Sequence, residues 1–99
     1  MKKSNDIHTK ELNQLFQGIL QLKTQEECYQ FFEDVCTINE LRSIAQRFDV
    51  AVKLSKRQTY TEIEESTKAS SATISRVNRA LNYGKDGYRM VIERMKEEK

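Results

Sequence analysis

With 99 residues, 37% of them hydrophobic and 32% charged, the chain is one small domain whose apolar core is thin for a monomer. No apolar run approaches membrane-spanning length and the amino end lacks the apolar core of a secretion signal, so a cytoplasmic protein without a membrane anchor is expected. The formal charge of +2 is too small to announce a nucleic-acid binder by itself, and its distribution along the chain carries more information.

Proline is absent and the apolar spacing is helical throughout, with no strand, repeat or internal linker. Residues 1–9 are polar, include Lys2 and Lys3, and read as a flexible arm. Leu12, Leu15, Phe16, Ile19 and Leu20 form the stripe of an amphipathic helix. Thr24-Gln25-Glu26-Glu27 fits a capping box in which Thr24 and Glu27 satisfy each other's backbone donors. The helix it opens carries Cys28, Phe31, Phe32 and Val35 on one face. Thr37-Ile38-Asn39-Glu40 is a second box, with Cys36 and Leu41 as its hydrophobic staple. The third helix is expected to turn Leu41, Ile44, Ala45, Phe48, Val52 and Leu54 inward. Residues 10–57 are thus the core and dimerisation helices. The first two are more apolar than a lone small bundle needs, which predicts an interface with a second copy, swapped or intertwined.

Thr59-Tyr60-Thr61-Glu62 is a third box, opening a short helix with Ile63 inward that ends near Thr67. Lys68-Ala69-Ser70 turns the chain, and Ser70 caps a helix that stops near Asn82-Tyr83-Gly84. Residues 59–82 therefore read as a helix-turn-helix, and Asp86 is expected to cap a last helix over 86–97 carrying Tyr88, Val91 or Ile92, and Met95. The fold class is all-α, with about six helices. Cys28 and Cys36 lie in the helical pattern and are expected to be reduced, buried thiols. A zinc site needs four ligands, and with His8 the only histidine no metal is expected.

The informative stretch is residues 70–81. Ile74, Val77 and Leu81 share one side of the helix, while Ala72, Ser75, Arg76 and Arg79 fall opposite. That outer face is small, hydroxylated and cationic, and it bears no acid. Residues 1–41 hold 4 basic and 7 acidic side chains, whereas 68–99 hold 8 and 4, so positive charge gathers around this helix. Short side chains permit close approach to a major groove, and the cations suit phosphates and guanine edges. Ser71, Ala72, Thr73 and Ser75 are assigned to base reading, beside the capping Ser70, and Lys68, Arg79, Lys85 and the arm to phosphates. Arg76 has three possible roles: a DNA contact, a pocket lining with Arg47, or an ion pair. Lys68 stands where such turns usually want glycine, and Glu64 where a small residue usually sits. A second reading, a helical protein-interaction module that keeps the helix-turn-helix as scaffold, draws on the acids Glu62, Glu64 and Glu65. An enzyme is not expected, because there is no glycine-rich phosphate loop and no histidine–carboxylate–nucleophile grouping.

Cys36-Thr37-Ile38-Asn39-Glu40, Arg47, and Ala72-Thr73-Ile74-Ser75-Arg76 with Asn78 and Leu81 resemble the Trp repressor superfamily. The likeness is closest to its small bacterial Trp-repressor-like regulators rather than to the tryptophan repressor proper. It implies an intertwined, all-helical homodimer on double-stranded DNA with a near-palindromic operator, and a pocket for a small-molecule corepressor beside the recognition helix. Residues matching Thr37, Arg47 and Arg76 help form that pocket in the repressor proper. Here Ala80 replaces a serine and Val77 a glycine, and the bulk of Val77 occupies space an indole needs, which argues against tryptophan. Thr61 and Glu64 also replace residues that are basic in the repressor proper.

Overall fold

A computed structural model describes residues 7–98. Six helices follow in order: α1 (Lys10–Ile19), α2 (Gln25–Val35), α3 (Ile38–Ser55), α4 (Tyr60–Thr67), α5 (Ser71–Tyr83) and α6 (Gly87–Glu97). No strand occurs among the described residues. Most of the expected arm, Met1–Asp6, lies outside them.

Hydroxyl caps set most helix starts, as the spacing predicts. Thr9 accepts the Leu12 N–H at 3.1 Å and Thr24 the Glu27 N–H at 3.0 Å. The box at Thr24 is only half built, because the Glu27 carboxylate accepts the N–H of Lys23 at 2.8 Å rather than that of Thr24. At α4 both legs form: Thr59 Oγ1 accepts the Glu62 N–H at 3.2 Å and Glu62 Oε1 the Thr59 N–H at 2.8 Å. The expected cap at Asp86 does not form. That residue is left-handed at φ 65°, ψ 14° and makes no side-chain cap bond. A capping side chain needs an extended backbone to reach back over the first turn, and the reversal between α5 and α6 places Asp86 in another region.

The chain divides into two compact units, one ending at Thr37 and one beginning at Ile38. In the first, neither α1 nor α2 has a buried residue, although Phe31 and Phe32 meet edge to face at 5.2 Å. Phe16, Leu20, Tyr29 and Val35 are all more than half exposed. The thiols expected to be buried are not: Cys28 is exposed, Cys36 is half-buried, and both are free. Cys28 lies on α2 and Cys36 ends it, on a helix that has no buried residue.

In the second unit Val50 and Ala51 of α3, Ile63 of α4, Ala69 of the turn, Ile74, Val77 and Leu81 of α5, and Ile92 of α6 form the buried set. Phe48, Val52, Leu54 and Tyr88 pack partly against it. Here α3 departs from expectation. Ile44 is 48% exposed and Ala45 is exposed, while Val50 and Ala51 have no exposure at all. The helix carries two apolar stripes about a third of a turn apart, one through positions 50, 51 and 54 and one through 41, 44, 45, 48 and 52. α4, α5 and α6 pack chiefly on the first stripe, which the 3.6-residue pattern ranks second. Of the residues expected inward, Phe48, Val52 and Leu54 are half-buried against the same core, Phe48 beside Tyr88 of α6.

Candidate nucleic-acid interface

The reversal from α4 to α5 is held from three directions. Thr67 Oγ1 donates to the Ile63 carbonyl at 2.7 Å and accepts the Ala69 N–H at 3.1 Å. From α3, Gln46 Nε2 donates to the Thr67 carbonyl at 3.1 Å. Lys68 adopts the left-handed conformation, φ 64° and ψ 14°, and its N–H closes α4 on the Glu64 carbonyl at 2.9 Å. The turn therefore has the backbone that glycine favours, built with a lysine whose side chain is exposed. Ala69 follows at 5% exposure, small enough to let α5 close onto Ile63. Ser70 then accepts the Thr73 N–H at 3.1 Å and donates to Thr73 Oγ1 at the same distance, fixing the first turn of α5.

From that start α5 sorts its residues as its periodicity dictates. Ile74 and Val77 are buried to within 1% and Leu81 to within 5%. Ser71, Ala72, Ser75, Arg76 and Arg79 are exposed, Thr73 and Asn78 half-buried, and no acid lies on the helix. Lys68 and Lys85, before and after it, are exposed as well. The second unit thus presents an exposed face of hydroxyls, one methyl and cations, backed by a core that fixes the helix's rotation about its axis. On α4 the acids are partly spoken for: Glu62 is held in its capping box, Glu64 is half-buried and Glu65 exposed.

Beside this face, between α3 and α5, lies a cleft of about 450 Å³ lined by Ser43, Gln46, Arg47, Ala72, Thr73 and Arg76. Arg47 Nη1 donates to Ser43 Oγ at 2.8 Å, one helical turn back. Among the described residues no carboxylate lies within ion-pair distance of Arg47 or Arg76. Arg76 thus makes no ion pair with a described residue; it is exposed on the outer flank of α5 and lines the cleft at the same time. Of the five positions named for a ligand pocket, the structure brings Arg47 and Arg76 together. Val77 is in the core at 1% exposure, Ala80 is half-buried outside the cleft lining, and Thr37 lies in the first unit, immediately before α3.

Three contributors escape a reading of the sequence. Ser43 and Gln46 line the cleft with Arg47, and only the i, i+4 spacing of Ser43 and Arg47 hints at it. Arg89 of α6 reaches back to α5, donating from Nε to the Leu81 carbonyl and from Nη2 to Asn82 Oδ1, both at 2.9 Å. Asn82 Nδ2 in turn donates to the carbonyl and the Oδ1 of Asn78, at 2.9 and 3.0 Å. No local pattern announces a contact that spans a helix reversal.

Among the described residues no group of histidine, cysteine and carboxylate side chains could hold a metal ion, and no helix is long and apolar enough to cross a membrane. A family model described as Trp repressor protein matches residues 10–96. The uncharacterized protein YerC of Bacillus subtilis (strain 168) is 60% identical over 91 residues, covering 92% of this chain and 88% of its own. The crystal structure of a TrpR-like protein from Eubacterium eligens ATCC 27750 superposes with a TM-score of 0.89 at 59% identity, over 93% of this chain and 95% of that one. A candidate Trp repressor from Staphylococcus aureus superposes with the same score at 45% identity, over 97% and 96% of the two chains.

Proposed function

This chain belongs to the Trp repressor protein family, and from that premise we propose that it is a sequence-specific DNA-binding transcription regulator, a repressor that acts in the cytoplasm as a homodimer. The observation that carries the reading is the acid-free outer face of α5, held in one orientation by Ile63, Ile74 and Val77 and opened by the Lys68 turn. Ser71, Ala72, Thr73 and Ser75 form its reading edge, with Ser70 fixing the first turn and Lys68, Arg79 and Lys85 contacting phosphates on either side. Ala72 and the Thr73 methyl suit a thymine methyl, and the hydroxyls accept or donate to base edges. In the dimer two such helices enter successive major grooves roughly 34 Å apart, which makes the operator near-palindromic.

The homodimer reading is supported by the uncovered apolar surface. Phe16, Leu20, Tyr29, Val35, Ile38 and Ile44 are large, apolar and between 48% and 79% exposed, more than a monomer of this size usually leaves in water. Residues 10–57 supply this interface and residues 59–82 the DNA contacts. The cleft beside α5 supports an effector site in which Arg47 and Arg76 face a small anion. Its lining has no aromatic side chain and nothing aliphatic larger than alanine, so it favours a polar anion over an indole.

The test is selection from random duplexes at low salt with the full chain, followed by binding measured against salt. A preferred near-palindromic sequence, and an affinity that falls steeply with salt, support the reading. Enrichment of no sequence overturns it and favours the interaction module. Arg79→Glu separates the two: DNA affinity collapses if α5 is the DNA surface, whereas a protein partner bound through α4 is unaffected.

A further inference from the structure

The C-terminal end of α5 is finished by another helix. Its last turn contains no basic residue, and its capping N–H, from Gly84, reaches only the Ala80 carbonyl. The carbonyls of the last turn have no partner within the helix and need donors from elsewhere. Arg89, eight residues further on, places its guanidinium there, with Nε on the Leu81 carbonyl and Nη2 on Asn82 Oδ1. A cation at this end also complements the helix dipole. The contact continues up α5, because Asn82, oriented by Arg89, donates both amide bonds to Asn78 one turn earlier. Asn78 stands next to Arg79 and one turn beyond Ser75 and Ile74, on the flank away from the cleft.

We propose that Arg89 is a positioning residue for DNA recognition: through Asn82 and Asn78 it fixes the carboxyl half of α5 against α6, so that the reading edge enters the groove at one angle. The inference rests on the DNA-binding reading above. The fork geometry is what matters. Lysine keeps the charge but offers a single nitrogen, which cannot hold the Leu81 carbonyl and the Asn82 amide oxygen together with the planar pairing of a guanidinium. A residue that positions the helix changes discrimination between sequences. A residue that merely touches phosphate changes affinity for all sequences and the salt dependence with it.

Arg89→Lys, Arg89→Met and Asn82→Ala, each in the full chain, would be compared with the parent in two measurements. The first is amide hydrogen exchange over Asn82–Gly84 in the free protein. The second is affinity for a duplex selected by the parent and for a mixed-sequence duplex, across a salt series. Expected are faster exchange in all three variants and, for Arg89→Lys, a loss of about tenfold on the selected duplex, the usual scale for one charge-assisted hydrogen bond. The salt slope and mixed-sequence affinity of Arg89→Lys stay at parental values. Arg89→Met combined with Asn82→Ala should lose no more than the larger single loss, because the two share one network. Parental affinity in Arg89→Lys overturns the proposal, as do equal losses on both duplexes with a salt slope reduced by about 0.9. Additive losses in the double variant also overturn it. If the parent selects no duplex, the DNA-binding reading fails separately, and unchanged exchange at Asn82–Gly84 in all three variants then overturns the positioning role.

Discussion

Replacing Lys68 with glycine should make the protein more stable and its grip on DNA weaker. Lys68 sits at φ 64°, ψ 14°, with its side chain exposed and its N–H bonded to the Glu64 carbonyl, a bond that glycine retains. A left-handed backbone costs a residue with a Cβ about 1–2 kcal/mol. Glycine removes that cost but returns about 0.4–1 kcal/mol through the greater freedom of the unfolded chain. The net gain is about 0.5–1 kcal/mol, which for a chain of this size raises the melting temperature by roughly 3–6 °C. Under the proposed DNA-binding role the lost ammonium removes one phosphate contact, and the slope of log affinity against log salt should fall by about 0.9. Lys68→Ala is the control: it keeps the strained backbone, so its melting temperature stays within a few degrees of the parent, yet it loses the same increment of slope. Calorimetric melting at one fixed chain concentration and a salt titration by fluorescence anisotropy read both effects. A glycine variant that melts at or below the parent refutes the strain argument, and an alanine variant with the full parental slope refutes the phosphate contact.

Other perturbations follow from the same geometry. Thr59→Ala removes the hydroxyl half of the α4 capping box and should cost about 1 kcal/mol, read from the midpoint of urea unfolding. Ile63→Ala, at a site with no exposure in the parent, should cost roughly 2–5 kcal/mol, and Ile63→Val roughly 0.5–1.5 kcal/mol by the same assay. In Gly84→Ala a Cβ would lie 2.4 Å from the Ala80 carbonyl oxygen, backbone that cannot swing aside, so the variant should lose about 2 kcal/mol and fray the end of α5. Ile44→Glu, at an exposed apolar position of α3, should shift the proposed homodimer to monomer in analytical ultracentrifugation while leaving the second unit helical. A variant that remains fully dimeric would remove α3 from the interface.

What a residue does through its immediate neighbours was readable from the chain alone. Three cap hydroxyls, the helix order, the turn at Lys68-Ala69-Ser70 and the sorting of α5 into a buried stripe and an acid-free face depend on contacts within about four residues, which periodicity and capping chemistry report directly. What depends on which surfaces meet was not. α3 offers two apolar stripes and its own spacing favours the longer one, but α4, α5 and α6 bury the stripe through Val50 and Ala51 fully and reach only Phe48 and Val52 on the other. Asp86 has the right chemistry to cap α6, yet the reversal from α5 requires a left-handed residue there, and backbone conformation outranks side-chain preference. Gln46 on the turn and Arg89 on the end of α5 act across 21 and eight residues of sequence, where no local pattern exists to be read. Local chemistry determined α5 and its acid-free face, and tertiary packing decided what stands beside it and holds it in place.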